Sequence, residues 1–75
     1  MERKEWLRNF SEKLKMLMSK NNLTVGQVAA RLDVPDNTVR NWTFAKHIPR
    51  ADLIEPLAAI LGCKVQDLIS FKEKH

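Results

Sequence analysis

Residues 23–42 constrain this chain most. They hold two apolar stripes of helical spacing, each too short to persist alone, separated by a proline-bearing break. Val25, Val28, Ala29 and Leu32 fall on one face of a first helix. Thr24 precedes them as a cap, and Gln27 stands where a capping box places its partner. Asp33-Val34-Pro35 then interrupts, because proline disfavours the helical region for the residue before it. A second helical pattern resumes with Val39 and Trp42, leaving Asp36, Asn37, Arg40 and Asn41 on its other side.

The flanking segments supply what these two helices must pack against. Trp6, Leu7, Phe10, Leu14, Leu17, Met18 and Asn21 make one stripe of a long first helix over Glu2 to Asn21. Its start has two readings: near Glu2, or at Glu12 with Ser11 as the cap and the earlier residues as an arm. Asn21-Asn22 ends it, since Asn tolerates the left-handed backbone. After Trp42, a connection from Thr43 to Arg50 contains Pro49. A fourth helix runs to about Leu61 and stops at Gly62, with Leu53, Leu57, Ile60 and Leu61 inward. Asp52 and Glu55 have capping-box spacing, and Pro56 requires that this helix begin close to it. Lys64 to Phe71 is a last short helix with Val65, Leu68 and Ile69 inward. No run alternates with period two for long enough to make a strand. The expectation is an all-α fold, a compact bundle of about five short helices, as one domain over residues 1–75.

Bulk properties narrow the function classes. The 75 residues suffice for one small core. A lone cysteine, Cys63, forms no internal bridge and reads as a small packing residue in a reducing compartment. Cys63, His47 and His75 are too scattered for a zinc site. The longest apolar run, Leu57 to Leu61, is too short for a membrane span, and the first residues lack a signal-peptide core. A cytoplasmic protein is expected. With Gly26 and Gly62 as the only glycines there is no phosphate-cradling loop, and there is no serine–histidine–acid arrangement. Neither an enzyme nor a cofactor is expected, and no small-molecule ligand is evident. The net charge of +4 favours a polyanionic partner. Its placement says more: Arg40, Lys46, His47 and Arg50 lie in or just past the second short helix, opposed locally by Asp36 alone.

Two helices joined by a tight turn, the second with a polar, amide-bearing face, form the helix-turn-helix arrangement that reads duplex DNA through the major groove. Asn37 and Asn41 are four apart, so they share a helical face, and an amide can bond adenine N6 and N7. Arg40 can take guanine O6 and N7 in a fork, or a phosphate. Asp36 has two readings, a helix cap, which is preferred, or an acceptor from cytosine N4. Thr38 suits a phosphate or a thymine methyl. Trp42 reads as core. Phe44 either packs under the following loop or is exposed. Trp6, Leu7 and Phe71 either extend the first and last helices against each other or form a self-association patch.

The ordered set resembles the lambda-repressor-like, XRE/Cro type of helix-turn-helix proteins from about Phe10 to Ile69. The similarity rests on Leu23-Thr24, Gln27-Val28-Ala29, Leu32-Asp33-Val34, Thr38-Val39-Arg40-Asn41-Trp42, Pro49, and the run from Leu57 to Leu68. It implies a recognition helix at Thr38–Trp42 with Asn37 and Asn41 at base-contacting positions; with Arg40 and Asp36 added for their chemistry, the expectation is that Asp36–Trp42 enters the major groove and that Asn37, Arg40, Asn41 and Asp36 are the candidate base contacts. It implies phosphate contacts from the loop that carries Thr43, Lys46, His47 and Arg50, to which Thr24 and Gln27 at the start of the first short helix and Thr38 are added as candidates. There are departures. Asp33 stands where glycine is common, Ala45 stands where a glycine follows the recognition helix, and Val25 replaces a phosphate-bonding Gln. Met18 and Thr43 stand where relatives carry an Arg–Glu pair. Both charges are absent together, which avoids a buried orphan.

The expected function is sequence-specific transcriptional regulation, as a repressor, by a homodimer on a symmetric site in double-stranded DNA. The alternatives are a protein–protein adaptor that kept the fold but lost DNA binding, hinted at by Val25, Asp33 and Asp36, and an antitoxin that also neutralises a toxin.

Overall fold

An apolar stripe running along the start of the chain holds together one helix rather than an arm and a helix. In the computed structural model, which describes residues 3–69, α1 spans Arg3–Lys20. Ser11 does not cap a shorter helix. It is buried inside α1, where it faces another helix. Then come α2 (Val25–Leu32), α3 (Asp36–Thr43), α4 (Ala51–Leu61) and α5 (Val65–Ile69). No strand occurs among the described residues. The expected extension of the last helix to Phe71 lies outside them, as does Phe71 itself.

Four helices end in the same way, and that device sets every change of direction. After α1, Leu23 N–H reaches Met18 O at 2.8 Å and Asn22 N–H reaches Ser19 O at 3.1 Å. After α2, Val34 bonds Ala29 O at 3.0 Å and Asp33 bonds Ala30 O at 3.2 Å. Lys46 to Asn41 O (3.0 Å) and Ala45 to Trp42 O (3.2 Å) close α3, while Cys63 to Ala58 O (3.0 Å) and Gly62 to Ala59 O (3.2 Å) close α4. These are Schellman ends, which need one left-handed residue each. Asn22, Asp33, Ala45 and Gly62 supply it, at φ 57°, 59°, 60° and 72°. Gly62 does so without a Cβ, and Asn22 and Asp33 have short side chains that tolerate the region, but Ala45 has no such relief.

The start of α4 differs from the expectation. It begins at Ala51, so Arg50 is the cap residue, and no side chain caps this end. Asp52 lies in the first turn and pairs with Arg50 at 3.1 Å instead of forming a capping box. Pro56 is therefore the sixth residue of α4, past the first turn. The bond it cannot donate is the one to the carbonyl of Asp52, an exposed residue where water can substitute.

One core joins all five helices. Phe10 and Leu14 of α1, Val28 of α2, Val39 and Trp42 of α3, Leu57 and Leu61 of α4, and Leu68 of α5 are fully buried. Helix α3 packs on α1 and α2, α2 also packs on α4, and α5 sits against α1 and α4. Trp6 stacks on Phe10 with ring centroids 5.6 Å apart, so it extends the core along α1. Asn21, expected on the apolar stripe, is exposed yet bonded. Its amide donates to Leu17 O at 2.8 Å and to Leu61 O at 2.9 Å, tying the end of α1 to the end of α4. Met18 and Thr43 are both buried. An ion pair here would have to be desolvated, and these residues avoid that cost.

Candidate nucleic-acid interface

Helix α3 has only eight residues, so its position depends on what holds it. Val39 and Trp42 anchor it in the core. At its end the buried Ser11 hydroxyl of α1 donates to the carbonyl of Thr43 at 2.6 Å. Thr43 in turn donates its own hydroxyl to Arg40 O at 2.7 Å. This corrects the assignment of Thr43 to the phosphate-contacting loop. It closes α3, is buried, and spends its hydroxyl on the backbone.

With Val39 and Trp42 fixed inward, the remaining residues of α3 divide into two groups. Asn37 and Arg40 are exposed and bonded to each other, Arg40 Nη1 donating to Asn37 Oδ1 at 3.1 Å. This orients the guanidinium and leaves its other donors free to meet a ligand. Thr38 and Asn41 are half-buried. They line a groove of about 480 Å³, together with His47, Ile48 and Arg50 of the loop after α3. That loop brings His47 and Arg50 to the same groove as Asn41, although they are six and nine residues further on. Lys46 is exposed beside them. The Arg50–Asp52 pair is largely exposed, at 78% and 64%, so it holds the guanidinium only weakly.

The start of α2 lies beside the start of α3, where Asp36 meets Gly26. Thr24 Oγ1 accepts from Gln27 N–H at 3.1 Å, and Gln27 Oε1 accepts from Thr24 N–H at 2.9 Å, completing the capping box. Both side chains give up oxygens to the cap. The donors that remain, the threonine O–H and the glutamine NH₂, are of the kind an anion needs.

Asp36 is not the cap of α3. Pro35 occupies that position, with no side-chain bond, and Asp36 is the first helical residue. Its carboxylate turns toward α2, with Oδ2 3.7 Å from where a Cβ on Gly26 would stand. An acid thus lies at the N-terminal end of α2, where the helix dipole favours negative charge.

Phe44, open to two readings from the sequence, is 61% exposed. Its spacing of seven from Asn37 and four from Arg40 was the available signal, once Trp42 fixed the phase of α3. Elsewhere the chemistry is sparse. Burial pushes the Cys63 thiol up, with Asp67 adding to the effect and Lys13 opposing it. Among the described residues, no group of His, Cys, Asp and Glu could hold a metal, and no helix is long and apolar enough to cross a membrane.

A family model described as the Cro/C1-type HTH DNA-binding domain matches residues 13–74. No curated protein and no solved structure gives a significant match.

Proposed function

Because the chain belongs to the Cro/C1-type helix-turn-helix DNA-binding family, we propose that it is a sequence-specific transcriptional repressor that seats α3 in the major groove. The observation that carries this reading is the exposed, mutually bonded Asn37–Arg40 pair on a helix locked in place by Trp42 and Ser11. Arg40 takes a guanine edge, and Asn37 and Asn41 take adenine or other base edges. Asp36, first in α3, accepts from a cytosine N4 only if it leaves the start of α2. Thr24 and Gln27 on one side, and Thr38, Lys46, His47 and Arg50 on the other, contact phosphates and set register without choosing sequence.

One module of this size reads few base pairs, so the functional unit is a homodimer on a two-fold site with half-sites about one helical turn apart. Selection of bound duplexes from a random pool at near-physiological salt tests this. A symmetric motif is expected from the native chain, and its loss from the Asn37→Ala/Asn41→Ala variant. Weak, salt-sensitive binding with no enriched sequence would overturn the proposal.

A further inference from the structure

We propose that Phe44 is a specificity-determining residue that reads the C5 methyl group of a thymine in each half-site, a proposal that rests on the DNA-reading role of α3. Phe44 still follows the helix, since its N–H bonds Arg40 O at 3.1 Å. It therefore keeps the angular position of Asn37 and Arg40 and is the last side chain that α3 projects on that side. The backbone turns away directly after it, at Ala45. Its exposure of 61% leaves an aromatic surface in water with no role in the core.

The surroundings identify the occupant. From Asn37 to Arg50 the chain carries the cations Arg40, Lys46 and Arg50 and no acid, and the acids on either side, Asp36 and Asp52, face the start of α2 and Arg50. A second copy docking this surface on itself would set like charges against each other, whereas duplex DNA complements it. Of the groups that the major groove presents, the thymine methyl is the apolar one, and Phe is suited to it. Arg40 and Asn37 supply polar contacts on the same face, so Phe44 adds a discrimination that neither of them can make.

The test replaces each thymine of the selected duplex, one at a time, by deoxyuridine, which removes only the methyl. With the native chain, one symmetry-related pair of positions should lose about fourfold in affinity per site, the size of one buried methyl. Phe44→Ala should be indifferent at that pair and unchanged in its response elsewhere, and Phe44→Leu should retain the preference. Thermal melting of both variants checks the fold. Should Phe44→Ala prove unfolded, Phe44→Gln, which keeps a long side chain on this exposed position but no apolar tip, takes its place and is read by the same criteria. Identical methyl profiles for native chain and Phe44→Ala overturn it, as does uniform weakening without a methyl-sensitive position. In either case an enriched motif would leave the wider reading standing. No enriched motif overturns both.

Discussion

The hydroxyl of Ser11 donates to the carbonyl of Thr43 at 2.6 Å, a buried bond that joins the middle of α1 to the last residue of α3. It stands at the end of α3, where helix carbonyls lack partners within the helix. Ser11→Ala removes the donor and leaves the carbonyl buried, which should cost about 1–3 kcal/mol. Urea denaturation would read this as a lower midpoint with an unchanged slope. An unchanged midpoint would mean that α3 does not depend on this bond.

Ala45 holds φ 60° without the short polar side chain of Asn22 or Asp33. The left-handed region costs an L-residue roughly 1–2 kcal/mol, part of which glycine gives back through its freer unfolded chain. Ala45→Gly should therefore stabilise the fold by about 1 kcal/mol. Ala45→Val, with a β-branched side chain in the same region, should destabilise it. Thermal melts of the two variants moving in the same direction would contradict this.

Asn21 uses both hydrogens of its amide on two carbonyls, Leu17 O at 2.8 Å and Leu61 O at 2.9 Å. Each bond contributes about 0.5–1.5 kcal/mol net, so Asn21→Ala should lower stability by about 1–3 kcal/mol. Asn21→Asp should be worse, since it turns a carboxylate toward two carbonyl oxygens. Equal stability of the Ala and Asp variants would show that the bonds, and not the repulsion, dominate.

Asp36 places its carboxylate near the start of α2, where a DNA phosphate would also approach. Asp36→Asn should raise affinity for duplex DNA at low salt, and the gain should shrink as ionic strength screens the charge. Stability should fall slightly, because the acid is favourable at that helix end. An affinity loss at every salt concentration would instead mark Asp36 as a base-reading group.

Much of this architecture can be read locally. The stripe Val25, Val28, Ala29 and Leu32, the Thr24–Gln27 box, the break at Pro35 and the stop at Gly62 are set by neighbours within four residues. Such signals depend on backbone geometry that the chain carries wherever it goes. The site was half legible for the same reason. Helical spacing alone puts Asn37, Arg40 and Asn41 opposite Val39 and Trp42.

What the sequence could not rank is which of several polar groups a distant helix would claim. Ser11 is a plausible cap by spacing, but α1 packs on α3, and its hydroxyl instead goes to a carbonyl 32 residues away. Thr43 reads as a loop residue from the sequence, but α3 runs one residue past Trp42 and Thr43 is buried at its end. Asp36 satisfies cap statistics, yet the packing of α3 on α2 offers it the other helix's N-terminal end. Phe44 is apolar enough for any core, and it stays outside because Trp42, once packed inward, fixes the phase of α3 and puts Phe44 on the side of Asn37 and Arg40. Sequence by itself determined the helices, their inward faces and where they stop, because those follow from interactions a few residues long. Tertiary structure decided which side chains stay free for a partner, because burial and pairing depend on contacts that exist only after the helices have packed.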